Sequence, residues 1–330
     1  MEDMLRVTAP CRLHLGQLDL NGSLGRMYGG IGVALDGPRI VLRAERRDEL
    51  VVEGFDTARV TDLARTFVDK AQIRAGARIV VQESITAHIG LGSGTLLSLS
   101  VGSALSALYN LKLTTEDVAR MMLPGDKCDV CVGIFKSGGL VVASGVPREF
   151  DWPGAEGYVP PTIFQRPFPQ DWRFIVVTPE TATQSGQTRH GISIDMTPAI
   201  APEDVGLVCR LLVMQLLPAV IEGNIDEFGQ ALTEMQWTIG KQFAPFQGGL
   251  YSHPSAEGIV RLLLGNGATG AGQSSWGPTV YAVVEGDDAA EHLEATVREY
   301  LAEASVRARV RCLKVRNSGA TVAWEDGEHA

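Results

Sequence analysis

The residues best placed to do chemistry begin with a glycine loop, Gly90-Leu91-Gly92-Ser93-Gly94-Thr95. Its glycines permit positive φ and close approach of the backbone to a ligand. Successive amides at a helix start form an anion site, and the helix dipole adds to it. Ser93 and Thr95 add hydroxyl donors for phosphate. A glycine turn that only caps a buried helix explains the same residues, because glycine motifs alone are weak signals. No Lys follows the last glycine, so this is not a P-loop. The G-x-G-x-x-G spacing of a dinucleotide fingerprint also fails.

A second cluster runs from Gly265 to Pro278, fourteen residues with five glycines around Gln273, Ser274, Ser275 and Trp276. An ordinary connection takes about 4–6 residues. The length and the polar centre suit a binding loop, although a plain loop anchored by Trp276 would look similar. The third cluster is near the start: Cys11, Arg12, His14, Gly16, Asp19 and Arg26. Strand alternation puts Arg12 and His14 on one face. A buried face carrying both needs a partner or a ligand, and Asp19 is the structural alternative to a ligand. Arg26 lies among glycines and could clamp phosphate or carboxylate with two parallel hydrogen bonds.

Two further patterns are weaker. Cys128-x-x-Cys131 has no second pair, and His190 and His253 are too distant to complete a zinc site. Arg307, Arg309 and Arg311 alternate along one strand face, as an ordinary solvated face would.

The elements that must position these residues follow from patterning. The first ~85 residues read mainly as strands, at 5–8, 12–15, 40–45, 50–53 and 78–83. Val60, Leu63, Ala64, Phe67, Val68 and Ala71 mark one helix, with Thr57 as its cap. Residues 88–109 read as the glycine loop followed by a buried helix with no polar stripe beyond serines. A helix over 115–121 is capped by Thr114. Residues 132–135 and 140–143 suggest a hairpin around Ser137-Gly138-Gly139. The Pro-rich stretch 146–171 is the expected boundary between two domains, 1–160 and 161–330. Beyond it, strands at 173–178, 279–284 and 305–315 alternate with helices at 203–222, 225–240, 256–264 and 289–301. Pro218 is expected to kink or end the first of these helices. The fold class is α+β, with an antiparallel sheet in the second half.

Composition sets outer limits. A chain of 330 residues has length for about two domains of the usual ~150 residues. It is 45% hydrophobic and 21% charged, enough to build cores without disulfides. A net charge of −10 with no basic block argues against nucleic acid and anionic membrane surfaces as partners. Five scattered cysteines and an acidic start without an apolar core point to a cytoplasmic protein with free thiols. No apolar stretch is expected to span a membrane; the best, 211–221, contains Gln215 and Pro218.

Taken together, PCRLHLG near the start, HIGLGSGT in the middle and GAGQSSWGPTVYA near the end resemble the GHMP kinase superfamily. Within it, 18–35, 160–180, 243–254 and 272–279 look like the β-ribofuranosylaminobenzene 5′-phosphate synthases. The resemblance covers nearly the whole chain. It implies a ribosomal-protein-S5-like N-terminal domain and a ferredoxin-like C-terminal domain. It also implies condensation of phosphoribosyl diphosphate with 4-aminobenzoate, or its 4-hydroxy analogue, in methanopterin biosynthesis. Diphosphate and CO2 are lost, a C-riboside forms, and Mg2+ accompanies the diphosphate. A homodimer is a family-level expectation.

On this reading Gly90, Leu91, Gly92, Ser93, Gly94 and Thr95 hold phosphate, with Arg12 and His14 beside them. Asp19 and Arg26 are the catalytic candidates, Asp19 for the ribosyl cation and Arg26 for the aromatic carboxylate or the diphosphate. Gln273, Ser274, Ser275 and Trp276 line the substrate cavity. One departure stands out: within 121–139, Lys127, Cys128, Asp129 and Cys131 replace expected Thr, Ser, Gly and Gly. GHMP kinases place a catalytic Asp at the position of Cys131, and a thiol does not supply that carboxylate. A small-molecule kinase and a non-catalytic paralogue that binds a phosphorylated metabolite stay open beside the synthase.

Overall fold

The computed structural model describes residues 4–74, 76–123, 129–149, 157–180 and 200–325. Cys128, His190, Lys127 and the 181–199 stretch lie outside the described residues.

The first sheet grows from two long antiparallel strands, β1 (Met4–Asp19) and β2 (Arg26–Arg47). The two separate strands expected over 5–8 and 12–15 are one strand, bent by register shifts between Ala9 and Cys11 and between His14 and Gly16. Bulges of this kind re-aim side chains. β3 (Val51–Gly54) pairs in parallel with β4 (Gly76–Glu83) across the helix α1 (Thr57–Lys70). Thr57 does not cap α1: Asp56 occupies that position in a left-handed conformation and makes no side-chain cap.

α2 (Ser93–Leu108) is buried on nearly all sides. At Gly102 an added Cβ would lie 2.6 Å from Val118 Cγ1, so only glycine lets α3 (Thr115–Met122) pack this closely. Thr114 caps α3 as expected, in a reciprocal capping box with Asp117.

The hairpin expected around Ser137-Gly138-Gly139 is half right. Residues 132–135 belong to a helix, α4 (Asp129–Ser137), while β5 (Leu140–Ala143) is a strand against β2. Gly138 ends α4 in a left-handed conformation, its amide bonded to the Ile134 carbonyl at 2.9 Å. β6 (Val146–Pro147) and β7 (Thr162–Arg166) extend this edge.

The second sheet has the order β11-β8-β10-β9 and is wholly antiparallel. β8 (Trp172–Pro179) and β10 (Val280–Glu285) are central in it. Trp172, Phe174 and Val176 of β8 join the larger core with the first sheet, while Ile175 and Val177 join a second core. Both faces of β8 are therefore buried, which explains its unbroken apolar run.

α5 (Pro202–Leu211), a π-helical turn (Leu212–Leu216) and α6 (Leu217–Glu222) lead to the long α7 (Ile225–Gln247). The π turn ends just before Pro218, where an irregularity was expected. This 202–222 stretch is long and apolar enough, by length and composition alone, to cross a membrane, a test that core helices also pass. Here it packs on α7 and β1.

α8 (Ala256–Gly265), β9 (Gly270–Gln273), α9 (Asp287–Glu303) and β11 (Ala308–Lys314) complete the second half. β12 (Thr321–Glu325) returns to pair with β1. The sheets therefore do not divide at residue 160: β7 and β12, both beyond it, belong to the first sheet.

Candidate active site

The three sequence clusters converge on one hydroxyl. The His14 amide donates to Ser274 Oγ at 2.9 Å, and Ser274 Oγ donates to the Gly90 carbonyl at 2.7 Å. Gly90 has φ +86, and an added Cβ would overlap the Ser274 carbonyl oxygen. Arg12 Nη1 donates to the same Gly90 carbonyl at 3.1 Å, and the Arg12 amide reaches the Leu91 carbonyl at 3.2 Å. The glycine loop is thereby fixed to β1 on one side and to the Gln273–Trp276 segment on the other.

The loop leads directly into α2. Gly92 is its N-cap with φ +76, where an added Cβ would meet Cys131 Sγ at 3.0 Å. Ser93, Gly94 and Thr95 form the first turn. That turn carries no acidic residue, whereas α3, α5, α7 and α9 all carry acidic residues in theirs. The positive end of the α2 dipole is left for an external anion.

Arg59 on α1 reaches this end: its Nη2 lies 2.7 Å from the place a Gly94 Cβ would occupy. Arg59 makes no hydrogen bond or ion pair with a described residue. The sequence reading missed it, because its position on α1 is off the apolar face.

Arg12 is 6% exposed, and its Nε donates to Cys131 Sγ at 3.4 Å. Cys131 is thus held between the glycine loop and a guanidinium. His14 is held well below its ordinary pKa, first by burial and then by the Arg12 charge. Its imidazole is neutral at pH 7.

His14 also lines a cavity of about 500 Å³, openings to solvent included. Gln273, Ser275 and Trp276 line it as the sequence reading expected, and Ser274 sits just behind them, fully buried. Sequence reasoning did not single out Gln17, Gln236, Phe243, Gln247 or Tyr251, which complete the wall. The 243–254 segment was noted only for its family likeness.

Gln236 on α7 ties the walls together. Its Nε2 donates to the Leu15 carbonyl at 2.7 Å, and its Oε1 accepts the Gln273 amide at 2.9 Å. Gln273 Oε1 in turn accepts the Ser252 amide at 2.7 Å. Trp276 meets Phe243 edge to face, with centroids 4.6 Å apart at 77°. Among the described residues the cavity lining holds aromatic rings and amides and no Lys, Arg, Asp or Glu.

Asp19 and Arg26 stand apart from these residues and do not line the cavity. Asp19 does not pair with Arg12 or His14. Its Oδ1 accepts the Asn21 and Gly22 amides, both at 2.8 Å, and so holds the turn after β1. Arg26 donates through Nε to the Ser144 carbonyl and through Nη2 to Ser144 Oγ, the Gly145 carbonyl and Tyr158 OH. Only its Nη1 is unused among the described residues. Among the described residues no three His, Cys, Asp or Glu side chains converge as metal ligands.

An α+β fold with a glycine loop opening a buried helix and a cavity beside it defines the class, and comparison with known proteins agrees. Residues 58–143 match the model described as the GHMP kinases N terminal domain, and residues 216–303 match GHMP kinases C terminal. The fold is similar to homoserine kinase from Cytophaga hutchinsonii, with a TM-score of 0.72, 17% identity and 98% of each chain covered. The β-ribofuranosylphenol 5′-phosphate synthase of Archaeoglobus fulgidus is 35% identical over 97% of this chain and 99% of its own. The Methanothermobacter thermautotrophicus synthase of the same name is 31% identical over 85% of this chain and 89% of its own. The chain belongs to this family of GHMP-superfamily synthases.

Proposed function

We propose that the chain is a decarboxylating phosphoribosyl transferase that joins phosphoribosyl diphosphate to a 4-substituted benzoate. The carrying observation is the junction at Ser274, which joins the glycine loop at the start of α2 to a cavity whose described lining is aromatic and uncharged. The relatives' name, which denotes a ribosylated phenol, favours 4-hydroxybenzoate over 4-aminobenzoate as the acceptor.

In this reading the α2 amides and Arg59 hold the diphosphate or phosphate. The aromatic acid lies in the cavity with its ring against Trp276 and Phe243. The ring carbon bearing the carboxylate attacks C1 of the ribosyl group, and the C1–oxygen bond breaks with its electron pair leaving on diphosphate. The ring–carboxylate bond then supplies the pair that restores aromaticity, and CO2 departs. No net proton transfer is needed.

Asp19 retains an Oδ2 free of hydrogen bonds among the described residues, and we assign it to the cationic ribosyl centre. Arg26, which lies outside the cavity lining, is assigned to the leaving diphosphate through its unused Nη1. Mg2+ would travel with the diphosphate oxygens. Among the described residues no three His, Cys, Asp or Glu side chains converge to hold it without the diphosphate.

The test is to incubate the protein with phosphoribosyl diphosphate, Mg2+ and either acid, and to identify the product by mass spectrometry. A C-riboside 5′-phosphate supports the reading. ATP-dependent phosphorylation of a small alcohol, without riboside, would replace it with a kinase.

A further inference from the structure

The alternating arginines of β11 have a setting that the proposed reaction does not use. A second cavity, of about 530 Å³ with its openings, lies between the first sheet's edge and β11. Arg309 and Arg311 line it, together with Thr86, Thr178, Ile89 and Glu180.

Two of the neighbouring charges are matched. Arg39 is taken by Glu83 through two hydrogen bonds of 2.9 and 2.8 Å. Glu180, the one acidic side chain lining the cavity, lies 3.6 Å from the outer arginine, Arg307. Arg309 and Arg311 make no hydrogen bond or ion pair with any described residue. The same holds for the Thr86 hydroxyl, while Thr178 is bonded to Thr279 at 2.9 Å.

Two guanidiniums two residues apart on a strand face repel each other unless an anion sits between them. Arginine forks and a hydroxyl donor match the tetrahedral oxygens of phosphate. Arg309 is exposed and Arg311 half-buried, so in a chain of net charge −10 the pair lines this concavity within reach of an anion from solvent.

We propose that this cavity binds a phosphate or diphosphate group of a small molecule, held by Arg309, Arg311 and the Thr86 hydroxyl. Ile89 lines the cavity and is followed at once by Gly90, so the new site sits at the mouth of the glycine loop. Two sources share this chemistry. One is the second phosphoryl end of phosphoribosyl diphosphate, which rests on the proposed reaction. The other is a separate phosphorylated metabolite, which does not.

The test is calorimetric titration of the full chain with inorganic diphosphate. Wild type is expected to show two sites. Arg309→Gln/Arg311→Gln, and separately Thr86→Val, are expected to weaken one of them at least tenfold with an unchanged circular dichroism spectrum. Arg59→Gln is expected to weaken the other. Identical isotherms for wild type, the double variant and Thr86→Val overturn the proposal, as does equal binding of acetate and diphosphate. A tenfold rise in KM for phosphoribosyl diphosphate alone in the double variant identifies the substrate as the source; an unchanged KM with the site lost identifies a separate metabolite. Should no turnover be found at all, the diphosphate isotherms still decide this proposal independently.

Discussion

Ser274 and Gly90, 184 positions apart, are joined by a 2.7 Å hydrogen bond from the serine hydroxyl to the glycine carbonyl. Because the same hydroxyl accepts the His14 amide, one fully buried side chain sets the position of the loop relative to the cavity.

Ser274→Ala is therefore expected to leave the buried His14 amide without its partner and the Gly90 carbonyl with Arg12 alone. The cost is about 1–3 kcal/mol, read as a lower urea midpoint with an unchanged slope. Turnover should fall together with stability. A variant as stable as wild type would remove Ser274 from this role.

Gly90→Ala tests the other half of the pair. The residue has φ +86, which costs about 1–3 kcal/mol for a side chain, and the new methyl overlaps Ser274. Loss of diphosphate binding by titration is expected even where the protein remains folded. Normal binding would show that the loop tolerates displacement.

His14 predicts a pH dependence. Its folded pKa is depressed by burial and by Arg12, so below the unfolded value near 6.5 the unfolded chain binds more protons than the folded one. Stability is full above that value and declines as pH falls through it. Urea titrations between pH 5 and 7.5 should show a slope that His14→Gln removes. An equal slope in both proteins would contradict this.

Arg26→Gln is expected to abolish turnover while the melting profile stays cooperative. Near-normal turnover would take Arg26 out of the site and leave it a brace between β2, Ser144, Gly145 and Tyr158.

Cys11 offers a control on the core. Burial, with Asp36 adding to it, pushes its thiol up to about 12. Alkylation at pH 7.5 should spare Cys11 in the native protein and reach it in urea, as read by peptide mass mapping.

Much of this architecture is legible in the sequence, for reasons that differ by element. α2 declares itself through a glycine loop and an apolar helix without a polar stripe, and α3 through its capping residue. α4 was misread because Val130, Cys131, Val132, Ile134 and Phe135 form a nearly continuous apolar run. Such a run has no period to separate a helix from a strand. Its packing with Ala34, Val141 and Ala143 makes the choice.

At the site, the residues with unusual neighbours in sequence were visible, among them Arg12, His14 and Gln273 to Trp276. Arg59 and Gln236 were not, since each is an ordinary polar residue in a helix. Only the crossing of α1 over the start of α2 brings Arg59 beside Gly94, and only the passage of α7 between β1 and β9 gives Gln236 its partners.

The central claim is the decarboxylating ribosyl transfer, and its most direct measurement is release of labelled CO2. Purified protein would be given phosphoribosyl diphosphate, Mg2+ and carboxyl-labelled 4-hydroxybenzoate or 4-aminobenzoate, with a control lacking phosphoribosyl diphosphate. Release that depends on phosphoribosyl diphosphate, and is lost in Gly90→Ala, is the predicted result. No release from either acid, by protein that still binds diphosphate, would contradict the account.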